Sequence, residues 1–226
     1  MKAKFGAIVV GGSGKLGGHV ITKNRQGYAF RTKVTPINRR STSQQGQRNT
    51  FTIYSQLWRG LTVAQRAAWD AAAPDFVKTN IFGDKYSPTG KNLYSLLNYN
   101  LAIVDGTALT TPPTMTSPTA LTSLVFLVNS HAAQTYTFEA TPTAAGTVMA
   151  VYATRPLSAG VGSAGARYRL ITTLAAATAT CASSFTAYSA KFGAPVTGKK
   201  IFVKFVPIHS TSGIRGTAIS VGGITT

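Results

Sequence analysis

Acidic side chains are scarce in this chain. Among 226 residues there are five, Asp70, Asp75, Asp84, Asp105 and Glu139, against 23 Lys and Arg, and the formal net charge is +18. None precedes position 70, while residues 1–69 hold 12 of the 23 basic residues. Such a chain is short of general bases and of carboxylates for metal binding or paired acid-base work. Its three histidines, His19, His131 and His209, lie in unrelated contexts, with no pair at metal-ligand spacing. Cys181 is the single cysteine, which excludes an intrachain disulfide, and no motif beside it activates a thiol. The expectation is a protein that is not an enzyme and uses no metal, cofactor or small-molecule substrate. Long apolar runs are missing too. A run such as residues 124–128 is far too short to span a bilayer, and the N-terminus lacks the apolar core of a signal peptide. A soluble chain made in the cytosol, with no membrane partner, is expected.

What the chain does have is a cationic front. An acid-free segment of formal charge +12 over residues 1–69 suits a polyanionic neighbour, nucleic acid being the commonest, or a solvated basic face with no partner. Within it, Gly12, Gly14 and Gly17 match G-x-G-x-x-G after the strand-like residues 7–10. A dinucleotide loop should open a helix, yet Gly17, Gly18, His19, Val20, Ile21 and Thr22 form helices poorly, and no acid follows for the ribose hydroxyls. The phosphate-loop pattern fails at Leu16, where Ser or Thr belongs. The glycines read better as a loop that lets backbone approach a partner. Residues 19–24 and 28–34 flank Arg25-Gln26-Gly27 as a β-hairpin. Lys15, Lys23, Arg25, Arg31 and Lys33 decorate this region, and Tyr28 and Phe30 between them either stack on bases or pack. Residues 38–49, with Arg39, Arg40 and Arg48, read as a polar loop or extended arm.

The chain is organised around residues 38–73, where the basic run turns into two helical patterns carrying both tryptophans. Phe51, Tyr54, Trp58 and Leu61 fall at i, i+3, i+7 and i+10 and make one apolar stripe. Gly60 breaks the pattern, and Thr62 with Gln65 is a capping-box start for a second helix that holds Trp69 and ends before Pro74. The hairpin reads as a small packing unit, with Phe51, Tyr54, Trp58, Leu61 and Trp69 as its packing residues. A DNA-reading helix-turn-helix would have only Gln65 and Arg66 to offer as base readers. A third helix is predicted over 91–104, with Leu93, Leu97, Asn100, Leu101 and Val104 along one side.

Residues 107–120, with three prolines and six threonines, read as a linker. Beyond them helix signals almost vanish, and short β-type runs recur at 121–128, 135–140, 148–154, 167–173, 184–189, 200–206 and 214–221. That spacing fits an immunoglobulin-like or fibronectin-like sandwich without a disulfide. Arg167 and Arg169 on one strand, and Lys199, Lys200 and Lys204 on another, read as charges that blunt sheet edges, with a docking rim as the alternative. The expected fold is α+β. A basic arm with a β-hairpin spans 1–50, a small helical domain 51–106, a linker 107–120 and the sandwich 121–226.

The order of motifs, GSGK-x-G at 12–17, a Gly-aromatic strand with basic residues at 27–31, Q-x-QR-x-x-F at 45–51 and WR-x-LT-x-x-QR-x-AW at 58–69, resembles small uncharacterised proteins of Bacteroidetes and their phages. The resemblance covers about residues 5–75 and assigns no catalytic residue. It implies a phage structural component, found in the virion after synthesis in the host cytoplasm. Its partners would be copies of itself and other virion proteins. Lys15, Lys23, Arg25, Arg31, Lys33, Arg39, Arg40 and Arg48 would contact either neighbouring subunits or nucleic acid. The other reading that composition leaves open is a cellular nucleic-acid-binding protein, associated with ribosome or nucleoid. A nucleotide-dependent enzyme built on the N-terminal glycines ranks third.

Overall fold

Glycines with positive φ set the turns of the N-terminal sheet. Strand β2 (Gly14–Leu16) turns into β3 (His19–Asn24) through Gly17 at φ 54, and β4 (Gly27–Thr32) starts at Gly27 with φ 100. Both angles lie where only glycine is unstrained. With β1 (Lys2–Ala3) these strands form an antiparallel sheet in the order β1-β4-β3-β2. The hairpin expected around Arg25-Gln26-Gly27 is the centre of this sheet, with Asn24 Oδ1 accepting from Gln26 N at 2.9 Å inside the turn.

The computed structural model describes residues 2–4, 6, 11–38, 40–118, 124–129, 134–138, 145–175, 180–181 and 185–226. It is a mixed α+β structure with four helices and several antiparallel sheets among those residues. Two compact units are present, the first made of Met1–Leu96 with Thr110–Pro112 and the second of Leu97–Leu109 with Pro113–Thr226.

In the first unit, helix α1 (Thr42–Gly60) begins nine residues before Phe51 and occupies 42–50, where composition predicts a loop. That stretch lacks proline, and Ser41 caps it by accepting from Gln44 N at 3.4 Å, so helix extends outward from the packed turns without apolar periodicity of its own. Helix α2 (Val63–Ala72) carries the predicted capping box: Gln65 N donates to Thr62 Oγ1 at 3.2 Å, and Thr62 N donates to Gln65 Oε1 at 2.9 Å. The Arg66 guanidinium donates to the carbonyl of Leu61 at 2.9 and 3.0 Å, closing the corner between the helices. A base-reading role for Arg66 is therefore replaced by a capping one. Strands β5 (Lys78–Thr79) and β6 (Lys85–Tyr86) form a small hairpin before helix α3 (Gly90–Ile103), whose first backbone donor, Gly90 N, meets Asp70 Oδ1 at 3.0 Å. The aromatic core is Trp58, Trp69 and Tyr94, with both tryptophan rings 5.3 Å from that of Tyr94. Trp69 is wholly buried and its Nε1–H donates to the Thr110 carbonyl at 3.0 Å, which pins part of the proline-rich stretch that reads as linker.

In the second unit, β9 (Thr147–Ala153), β10 (Arg169–Leu174), β12 (Lys200–His209) and β13 (Ile219–Ile224) form a sheet in the order β10-β9-β12-β13. Strands β7 (Leu124–Asn129), β8 (Gln134–Phe138) and β11 (Thr180–Cys181) form another, in the order β11-β8-β7. Alternate residues of the larger sheet build two cores. Val151, Ala153, Ile201, Val203 and Phe205 pack with Tyr188 on one face, while Ala150, Val206 and Ile208 pack with Ile103, the last residue of α3, and Val104 just after it on the other. Helix α4 (Phe185–Phe192) corrects the strand expected at 184–189. Tyr188 and Phe192 are four residues apart, their rings 5.1 Å from one another, and burial of both on one helical face overrides a weak strand preference. Asn98 and Asn100 of α3 are buried because they hold backbone, Asn98 Oδ1 accepting from Leu109 N and Asn100 Nδ2 donating to Gly213 O, each at 2.7 Å.

Candidate functional site

The register of the N-terminal sheet decides which basic side chains share a face. Lys15 lies opposite Val20, and Val20 opposite Arg31, so Lys15, Val20 and Arg31 form one cross-strand row on one face. Thr22, Ala29 and Lys2 form the next row on that face. Lys33 follows Arg31 by two residues, and its backbone N–H donates to Gly18 O at 2.8 Å, which holds the chain against the β2–β3 turn. Val20, Arg31, Thr32, Lys33, Val34 and Pro36 line an open cleft there. The side chains of Lys15, Arg31 and Lys33 are exposed and make no ion pair or hydrogen bond with the described residues.

The aromatic residues take the opposite face. Ile21 pairs with Phe30 and Lys23 with Tyr28, one residue out of step with the Val20 row. Lys23 Nζ sits 5.4 Å from the Tyr28 ring centroid, a cation–π contact that covers the ring. Cations and aromatics alternate in sequence but are separated by the pleat.

The other basic residues singled out by the sequence are spread and tied. Arg25 Nη1 donates to the carbonyls of Ser87 and Pro88, each at 3.3 Å. Arg40 stands at φ 46 just ahead of α1, and Arg48 Nη1 donates to Asn38 Oδ1 at 2.9 Å. Arg39 lies outside the described residues. Lys15, Arg31 and Lys33 thus stand exposed on one side of the sheet, while Lys23, Arg25 and Arg48 are held by local partners. Among the described residues there is one ion pair, Lys4 to Asp84 at 2.9 Å, where Lys4 and Asn80 hold the Asp84 carboxyl below its ordinary range.

Of the packing residues, Tyr54, Leu61 and Trp69 are buried and Trp58 is half-buried. Phe51 is 63% exposed and does not join them, because the rings of Trp58 and Tyr94 close the core two turns further along. On the same helix Ile53 is 52% exposed, and Val63 at the start of α2 is 80% exposed. Ile81 stands 73% exposed at the tip of the β5–β6 hairpin, which is fixed by Asn80 Oδ1 accepting from Phe82 N and Asp84 N at 2.8 and 2.9 Å.

Comparison of the chain with protein-family models, curated proteins and solved structures finds no match.

In the second unit, Lys200 and Lys204 do not guard an edge, as composition suggests, because β12 lies between β9 and β13. They cover aromatic rings instead. Lys200 Nζ is 5.0 Å from the Phe202 centroid, and Lys204 Nζ is 5.2 and 4.6 Å from those of Tyr152 and Tyr168. Burial raises the Tyr152 hydroxyl above its ordinary pKa, with Arg215 beside it acting in the other direction. Sequence reasoning missed this cluster because Tyr152 and Lys204 meet only through strand pairing. The glycine motif resolves as sheet: Gly14 opens β2, and Gly17 leads into β3 where a dinucleotide loop would open a helix. Among the described residues no helix is long and apolar enough to cross a membrane.

Proposed function

We propose that this chain is a virion structural protein of a bacteriophage, one that builds or decorates the particle, as capsid, neck or tail, through contacts with its own copies and with other virion proteins. The observation that carries this reading is apolar surface on ordered elements. Phe51, Ile53 and Leu57 on α1, Val63 on α2 and Ile81 on a hydrogen-bonded hairpin are all exposed in the single chain. Large apolar side chains left exposed on ordered elements are what a surface covered by a neighbour would present. Residues 1–50 act as the basic arm of this scheme, with Lys15, Arg31 and Lys33 facing either an adjacent subunit or the genome.

The C-terminal strands supply the rigid block. The orders β10-β9-β12-β13 and β11-β8-β7 correspond to the C′-C-F-G and E-B-A orders of an immunoglobulin-like sandwich when β7 is taken as strand A, which supports that reading of residues 121–226. A second reading, a cellular nucleic-acid-binding protein, is favoured by the acid-free first 69 residues.

The deciding experiment is quantitative mass spectrometry on density-gradient-purified particles from the source culture. A fixed ratio of this chain to the major capsid protein across the particle peak is expected. Recovery only with ribosomes or nucleoids from particle-free cells would replace the virion reading with the second one.

A further inference from the structure

We propose that the face carrying Lys15, Arg31 and Lys33 binds a nucleic-acid backbone, gripping phosphates without stacking on bases. This rests on the reading above, in which the N-terminal segment meets a subunit or the genome, and it commits to the genome.

The geometry of the row favours phosphates. Adjacent strands lie about 4.8 Å apart, so the Cα atoms of Lys15 and Arg31, two strands apart, are separated by about 10 Å, and Lys33 follows Arg31 by about 7 Å along the chain. Duplex DNA brings one phosphate per roughly 3.4 Å of each strand's rise, so a triangle of this size meets on the order of three phosphates. Val20 lies between Lys15 and Arg31, and Thr22 and Ala29 fill the row beside them, small or neutral side chains that let a backbone come close. Stacking is not available on this face. A single-strand platform needs aromatic rings beside the cations that track the phosphates, and Tyr28 and Phe30 stand on the reverse side of the sheet.

An acidic protein segment is the competing occupant, and the charge distribution disfavours it. A short acidic peptide needs only a local cluster of cations. Here 12 basic residues and no acid fall within residues 1–69, a field that reaches well beyond one cleft and suits a long polyanion. Recognition is therefore by charge density and insensitive to base sequence.

The test is fluorescence anisotropy of the full chain with a labelled random duplex of about 30 base pairs, titrated between roughly 50 and 300 mM salt. The variant Lys15→Gln/Arg31→Gln/Lys33→Gln changes only exposed side chains, and circular dichroism confirms its fold. Its log K against log salt should be shallower than the parent's by roughly 2 to 3, since each phosphate contact contributes about 0.9. The charge-matched variant Lys78→Gln/Lys85→Gln/Lys91→Gln should stay within about 1 of the parent slope, and scrambling the duplex sequence should change nothing. An equal loss in the charge-matched variant overturns the assignment to this face. A flat salt response, or no DNA binding at low salt, overturns nucleic acid as the partner and leaves an acidic protein surface. A chain that keeps its fixed ratio in purified particles while failing to bind DNA would sink this inference and leave the virion reading standing.

Discussion

Trp69 and Tyr94 meet edge to face, with ring centroids 5.3 Å apart and planes at 88°. Trp58 approaches the same tyrosine from another side at 57°, so one residue of α3 joins α1 and α2 into a single core. Trp69→Phe keeps a ring but loses the donor to the Thr110 carbonyl, and should cost about 1 to 3 kcal/mol in urea denaturation. Trp58→Phe, at a half-buried position, should cost less. Equal costs would mean that the Thr110 hydrogen bond contributes nothing.

Thr62 anchors α2 through both halves of a capping box. Thr62→Ala removes the acceptor for Gln65 N, with an expected loss of about 1 kcal/mol by the same measurement. The Ser41 cap of α1 is longer, at 3.4 Å, and Ser41→Ala should cost less than Thr62→Ala.

Gly213 sits at φ 68, and a Cβ there would lie 2.3 Å from the Leu97 carbonyl oxygen. Both the angle and the collision are with backbone, so Gly213→Ala should destabilise by at least about 2 kcal/mol. Gly160 has an ordinary φ and open space around it, and Gly160→Ala should stay within about 0.5 kcal/mol of the parent.

Tyr188 is wholly buried, its hydroxyl donates to the Thr154 carbonyl at 3.1 Å, and burial pushes its pKa up to about 12 from the ordinary value of 10.0. In the unfolded chain the phenol ionises near pH 10, while in the folded chain it stays protonated until about pH 12. Between those values the unfolded state holds fewer protons, so stability is complete below pH 10 and falls as pH rises toward 12. Tyr188→Phe should lower stability at neutral pH through the lost hydrogen bond and flatten that alkaline decline. Parallel slopes for the two proteins in denaturation curves between pH 10 and 12 would refute this.

Much of the local structure follows from neighbouring residues. Thr62 with Gln65 fixes the start of α2, the Arg25-Gln26-Gly27 turn fixes the β3–β4 hairpin, and the spacing of Leu93, Leu97 and Leu101 marks α3, found at Gly90–Ile103 against an expected 91–104. The alternating runs mark β8, β9, β10 and β12 to within a few residues. The same rules fail where a distant partner decides. Residues 185–192 form helix because Tyr188 and Phe192 bury against the larger sheet, and residues 42–50 form helix because α1 grows from a packed core.

The sequence by itself determined the charge: an excess of Lys and Arg, with no acid among residues 1–69, is a property of composition that no fold can change. The tertiary structure decided how that charge is divided. Strand pairing put Lys15 and Arg31 on one side of the sheet and Tyr28 and Phe30 on the other, and carbonyls distant in sequence drew in Arg25. The reason is that side-chain direction in a sheet depends on register, and register is set by cross-strand hydrogen bonds between residues that the linear order keeps apart.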